Sequence, residues 1–104
     1  MSAGVVNVTS LDGYQAEARR TINRALTSDQ RLLDAAAGLA EEAGEVLSHV
    51  RKHVMQGRTL DRDAVALELG DALWCLSIAA DTLGVTLQDV ARLNIEKLRS
   101  RHPD

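Results

Sequence analysis

From Ala64 to Ala80 the chain carries no charge except two acids, Glu68 and Asp71, and both lie amid alanine, leucine, valine and glycine. The run's longest uncharged stretch, Ala72–Ala80, falls well short of the roughly 20 apolar residues that span a bilayer. Its apolar positions recur at three and four residues, the period of a helix and not of a strand. At about 100° per residue Glu68 falls near Ala72, Cys75 and Ala79, while Asp71 falls near Ala64 and Ile78. No placement of such a helix hydrates both acids while covering its apolar arc.

The same difficulty occurs one helix earlier, in "GLAEEAGEV", Gly38–Val46. Leu32, Leu39, Val46 and Val50, joined by Ala36, Ala43 and Val54, form the expected core stripe there. Glu42 sits at its edge, Glu45 a further 60° or so out, and Glu41 toward water. Two i, i+3 carboxylate pairs therefore project from apolar or half-apolar faces of consecutive helices. A short link at Gly57–Thr59 makes those helices antiparallel neighbours.

Punctuation along the chain divides it into four helices. The first is capped at Thr9 or Ser10 and carries Leu11, Tyr14, Ala18, Ile22 and Ala25 on one face. The second follows Thr27-Ser28-Asp29 and runs to about Gln56, where Gly57 ends it. The third begins around Thr59–Asp61 and ends at Gly84, and the fourth is capped by Thr86 through Asp89 and stops near Arg101, before Pro103. The spacing thus predicts an all-α protomer of one domain over 10–104, with residues 1–9 a flexible N-terminus. Val5-Val6-Asn7-Val8 is the one stretch with strand character.

Composition narrows the function. Twelve basic and fifteen acidic side chains leave a net charge of −3, with no basic run and only Tyr14 and Trp74 as aromatics. This balance lacks the basic footprint and stacking rings of a nucleic-acid binder, and no stretch reads as a membrane segment. The single cysteine, Cys75, has no internal disulfide partner, and Met1–Thr9 has neither the basic nor the apolar region of a secretory leader. A reducing cytoplasm is the expected compartment.

An isolated carboxylate in low dielectric costs several kcal/mol, so it is protonated, paired with a cation or bound to metal. A solvated helix face explains one Glu-Glu-x-x-Glu run more readily than two acid pairs on neighbouring helices. Ion pairs to Arg51, Lys52 or Arg62 are a further structural explanation, although those residues fall on other turns or the exposed side. Oxygen-only donors at Glu42, Glu45, Glu68 and Asp71 favour a hard cation, Mg²⁺ or Mn²⁺. Zinc at the i, i+4 pair His49/His53 lacks a third nitrogen or sulfur ligand, and the Glu-x-x-His of helical di-iron sites is missing. The fourth helix offers the complement of a phosphorylated ligand: Asn94 on an apolar face with Leu87, Ala91 and Leu98, then Lys97 and Arg101 on the same side. Lys52 is another candidate phosphate contact. Arg101 also has a simpler explanation, as a cation complementing a helix C-terminus.

Glu41-Glu42-Ala43-Gly44-Glu45 followed by Glu68-Leu69-Gly70-Asp71 resembles the Glu-Glu-x-x-Glu and Glu-x-x-Asp signature of the MazG-like, all-α nucleoside triphosphate pyrophosphohydrolases. Tyr14-Gln15, Arg20-Thr21, "ELGDALWCLSIAADTLGV" and "NIEKLRSRHP" extend the likeness over most of the chain, to the small single-domain branch. The resemblance implies a four-helix protomer that assembles into a helical-bundle homodimer or homotetramer. It implies Mg²⁺-dependent cleavage of a (deoxy)nucleoside triphosphate between the α- and β-phosphates, giving monophosphate and pyrophosphate, in nucleotide-pool house-cleaning. By position, Glu42, Glu45, Glu68 and Asp71 are then the catalytic metal ligands, Glu41 a secondary candidate, and Asn94, Lys97 and Arg101 the triphosphate contacts. His102 stands where small members carry an aromatic before proline. Trp74, one turn past Asp71, reads as core or interface packing, with a base pocket as the alternative. A rival of another class is a non-catalytic helical interaction module that keeps the fold, with or without a bound metal.

Overall fold

The computed structural model describes residues 8–104, so most of the expected flexible segment and the Val5–Val8 stretch, Val8 apart, lie outside it. Four helices follow one another: α1 (Leu11–Arg19), α2 (Ser28–Gln56), α3 (Arg62–Thr82) and α4 (Leu87–Arg101), with no strand among the described residues. None of these helices is long and apolar enough to cross a membrane.

Each start is fixed by a side chain that satisfies an otherwise unpaired backbone N–H. Ser10 Oγ accepts from Gly13 N, Thr27 Oγ1 from Gln30 N at 3.1 Å, Asp61 from Ala64 N and Thr86 Oγ1 from Asp89 N. At α2 the box is reciprocal, since Gln30 Oε1 accepts from Thr27 N at 3.0 Å. Gly57 closes α2 in the left-handed region, φ 67°, which a residue with a Cβ adopts only under strain.

The first helix is shorter than its apolar pattern suggests. It stops at Arg19, and Thr21 Oγ1 donates to Ala18 O at 2.7 Å while Asn23 Oδ1 accepts from Ala25 N. Hydroxyl and amide side chains here compete with the helical ladder and turn the chain toward α2.

The α2–α3 hairpin is the main packed pair; α1 lies against α3, and α4 touches α1 and α3. The core is small: Ala18, Ala35 and Ile78, with Tyr14, Ile22, Trp74 and Ala79 packed around them. It sits where α1 packs on the second half of α3, with Ala35 of α2 joining Ala18 and Ile78.

The face of α2 that meets α3 differs from the expected stripe. Of that stripe Leu32, Leu39 and Val46 are half-buried and Ala36, Ala43, Val50 and Val54 are exposed, while beside it Ala35 is buried and Gly38 and Glu42 are half-buried. The helix is thus turned roughly 60° toward its acids relative to the hydrophobic wheel. Hydrophobicity alone located the wrong centre because a second apolar arc, left bare in the protomer, pulled the average away from α3.

A side chain from α1 positions α4. Gln15 is 3% exposed; its Nε2 donates to Val85 O at 3.0 Å and its Oε1 accepts from Leu87 N at 2.8 Å. Leu87 opens α4, so Gln15 satisfies a helix-start N–H from across the molecule. Gln15→Leu strands both groups and is expected to cost about 1–3 kcal/mol. That is a fall of roughly 4–8 °C per kcal/mol in melting temperature for a domain this small, read by thermal circular dichroism.

Candidate metal centre

The rotation of α2 brings its acids to those of α3. One carboxylate oxygen each from Glu42, Glu68 and Asp71 lies within 4.8 Å of the other two. Glu42 and Glu68 are half-buried and Asp71 is exposed, so the group opens to solvent on one side.

No cation side chain answers these charges. The ion pairs among the described residues join Arg19 to Asp81, Arg20 to Glu17, and Arg92 to Asp89 and Glu96. Arg51, Lys52 and Arg62 form none with the cluster. Glu42 Oε2 is buried and has no hydrogen-bond partner. An orphaned, buried carboxylate oxygen facing two further carboxylates fits a hard divalent cation, since Mg²⁺ and Mn²⁺ take oxygen ligands and complete their octahedron with water or phosphate.

Glu42 records the crowding. Its carboxyl is pushed up to about 7, first by sharing a proton with Glu68, then by burial and by the charges of Asp71, Glu68 and Glu45. The sign of the consequence follows from linkage. Folded protein holds this proton more tightly than the unfolded chain, so Glu42's contribution to stability is present below the ordinary glutamate value and is lost as pH rises through about 7. In chelator, wild type is therefore expected to lose melting temperature relative to Glu42→Gln between about pH 5 and pH 8. Added Mg²⁺ displaces the proton and should bind more tightly as pH rises over the same window, checked by calorimetric titration.

The remaining sequence-expected residues are distributed differently. Glu45 is exposed and outside the three-oxygen group, although its charge reaches Glu42. Glu41 is exposed, as its wheel position implies, and also lines the adjoining cleft. Lys52 is exposed and ten residues past Glu42, about 15 Å along α2. Asn94, Lys97 and Arg101 are all exposed, and α4 packs on α1 and α3 but not on α2. Only Leu87 of α4 is buried, with Ala91 half-buried, so the rest of that helix leaves the protomer and its amide and cations are not gathered at the acids.

Beside the acids lies a cleft of about 310 Å³ lined by Asp34, Ala37, Gly38, Glu41, Glu42, Asp71, Trp74 and Cys75. The helices close tightly here: a Cβ on Gly38 would stand 2.9 Å from Cys75 Sγ, so glycine is what permits the approach. Trp74 Nε1 donates to Thr21 Oγ1 at 2.7 Å, which pins the indole between the cleft and the core. Burial, then the charges of Glu42, Asp71, Asp34 and Glu41, push the Cys75 thiol up, so it stays protonated at neutral pH. Tyr14 is likewise raised, by burial and then by Asp71 and Cys75. Asp34 is the residue that sequence reasoning missed. It lies eight residues before Glu42, on the same side of α2 as Glu41 and Glu45, a wheel position that could have flagged it.

Comparison with known proteins gives the chain a family. The family model described as MazG nucleotide pyrophosphohydrolase domain matches residues 30–104, which include all three clustered acids. A "Gene 37 protein" of Mycobacterium phage L5 is 37% identical over 68 residues, a stretch covering 62% of this chain and 60% of that relative. The match thus spans less than two thirds of the phage protein's length. No solved structure matches the chain.

Proposed function

The chain belongs to the MazG nucleotide pyrophosphohydrolase family, and from that membership we propose that it hydrolyses (deoxy)nucleoside triphosphates to the monophosphate and pyrophosphate in a Mg²⁺-dependent reaction, with nucleotide-pool house-cleaning as its role. The observation that carries this reading is the convergence of Glu42, Glu68 and Asp71 with no protein cation among them. These three residues would hold the metal, and Glu45 and Glu41 are the further candidates for a ligand or for orienting water. Mg²⁺, or Mn²⁺ in its place, would neutralise the repulsion between carboxylates and triphosphate and lower the pKa of a bound water.

The chain's own residues supply the rest. Water attacks phosphorus, the α–β anhydride bond breaks, and pyrophosphate leaves with the electron pair. Half-burial of Glu42 and Glu68 strengthens electrostatic interactions at the reacting end of the cleft. Asn94, Lys97 and Arg101 are the phosphate contacts of this reading. Because α4 leaves the protomer, they reach a site only through assembly, in which subunits share helices.

Assembly is supported by surface and shape. The protomer exposes 8134 Å², against about 5,700 Å² for a folded monomer of its 11.2 kDa mass. That excess is larger than the roughly 800 Å² each partner gives to an ordinary interface. Its radius of gyration, 16.3 Å, exceeds the 13 Å or so of a compact chain of this length. The α2 arc through Ala43, Leu47, Val50 and Val54 and the α3 row Leu69, Leu76 and Leu83 fall on the same side of the antiparallel hairpin, opposite the cleft. We assign this apolar face to a second copy of the chain, in a dimer or a pair of dimers.

Purified protein with Mg²⁺ and a panel of nucleoside triphosphates, followed by chromatography for monophosphate and pyrophosphate, tests the activity. Release of both products in equal amounts is expected. Folded protein that releases neither across the panel is instead the non-catalytic helical module.

A further inference from the structure

The cleft continues past the acids along α2, and its far end is built differently from its near end. At the near end stand Glu42 and Asp71; at the far end stand Trp74, Ala37 and one more carboxylate, Asp34. Asp34 and Glu42 are eight residues apart, about 12 Å along the helix. That is close to the length of a nucleoside from its 5′-oxygen to the far edge of its base. At about 310 Å³ the cleft lies at the small end of ligand pockets.

The Asp34 carboxylate takes part in none of the ion pairs and in none of the side-chain hydrogen bonds among the described residues. Asp34 lines the cleft together with Cys75 and Trp74, and its side is open to solvent. Trp74 supplies an aromatic wall whose only polar atom is already committed to Thr21. An aromatic wall with a free carboxylate at the end of the slot is a pairing with a definite chemical preference.

We propose that this end of the cleft is the base subsite and that Asp34 makes it selective for a guanine-type base, with Trp74 covering the base face. The proposal rests on the pyrophosphohydrolase reading for the placement of the phosphates. An ionised carboxylate only accepts, through two oxygens. Guanine offers two adjacent donors on one edge, the ring N1–H and the 2-amino group, and satisfies both oxygens together. Adenine and cytosine set their amino group beside an unprotonated ring nitrogen, whose lone pair repels the second oxygen. Uracil and thymine flank their one N–H with two carbonyls. A bidentate pair of this kind discriminates by about 1–3 kcal/mol, roughly fivefold to 160-fold at 1.36 kcal/mol per decade, and stacking on the indole adds affinity without regard to base.

Trp74 is the sole tryptophan, so its fluorescence reports occupancy of this end directly. Guanosine and uridine monophosphates, which have no α–β anhydride to cleave, are titrated with Mg²⁺ into wild type and Asp34→Asn. Turnover of the two triphosphates is measured alongside. Wild type is expected to bind the guanosine nucleotide about fivefold to 160-fold more tightly. In Asp34→Asn, where one acceptor has become a donor, the ratio is expected to fall to near one. Asp34 is exposed, and an unchanged melting temperature confirms that the variant folds. Equal binding of the two nucleotides by wild type, or equal weakening of both by Asp34→Asn, overturns the proposal. Hydrolysis that is indifferent to base overturns it while leaving the hydrolase reading in place. Asp34-dependent guanosine binding without turnover of any triphosphate does the reverse.

Discussion

Glu68→Gln is expected to abolish Mg²⁺-dependent hydrolysis while leaving the metal-free protein as stable as wild type or more so. Glu68 is one of three carboxylates that meet within 4.8 Å, and none of them has a protein cation to answer it. Removing one negative ligand leaves too little charge to hold the metal against water. A loss of at least about 100-fold in kcat/KM corresponds to roughly 2.7 kcal/mol of transition-state stabilisation at 1.36 kcal/mol per decade. Stability should move the other way. Glu42 is raised to about 7 chiefly because it must share a proton with Glu68. A glutamine amide in that place donates to Glu42 with no proton required, and replacing an uncompensated buried charge by a neutral isostere is often stabilising. Turnover and thermal melts in chelator at about pH 8 are measured together. A variant that keeps activity within a few-fold removes Glu68 from the metal site, and one that melts far below wild type makes Glu68 a structural residue.

The second large effect concerns assembly. Leu47 is 63% exposed and Leu76 44% exposed, on adjoining rows of the hairpin face opposite the cleft. Covering a leucine is worth about 1.5–3 kcal/mol, and placing an unpaired glutamate under the same cover costs several kcal/mol more. Because each residue occurs once per subunit, Leu47→Glu with Leu76→Glu charges a dimer interface four times. Wild type is expected to sediment as a dimer or tetramer with a melting temperature that rises with protein concentration. The double variant should sediment at the protomer mass and lose turnover, since α4 then has no second subunit to serve. Wild type that sediments as a monomer at tens of micromolar would remove the assembly reading altogether.

Much of the fold was legible because its signals are local. Thr27 with Gln30, Thr86 with Asp89 and Gly57 each act within one helical turn, and the helix ends they mark fall where the sequence puts them. The first helix was not fully legible. Its apolar spacing continues to Ala25, but Thr21 and Asn23 satisfy backbone groups outside the ladder, and periodicity carries no information about that competition. Gln15 stood out only as part of a resemblance; its reach to Val85 and Leu87, some seventy residues away, cannot be inferred from neighbours in the chain.

The acids divide in the same way. Charge on apolar or half-apolar faces marked Glu42, Glu45, Glu68 and Asp71 as residues needing a counter-ion, because the cost of a lone buried carboxylate holds in any fold. Which acids actually converge was decided by the roll of α2 about its axis, and that roll is set by packing against α3. The close approach at Gly38 and Cys75 turns Glu42 inward, leaves Glu45 exposed, and opens the cleft in which Asp34 stands. The sequence by itself therefore determined four helices, an antiparallel pair carrying misplaced acids, and a demand for positive charge. The tertiary structure alone decided which oxygens meet, where the adjoining cleft lies, and that Asn94, Lys97 and Arg101 are held away from it within one protomer. Helical periodicity fixes where side chains stand relative to one another on a helix, but not which part of that circle a neighbouring helix will cover.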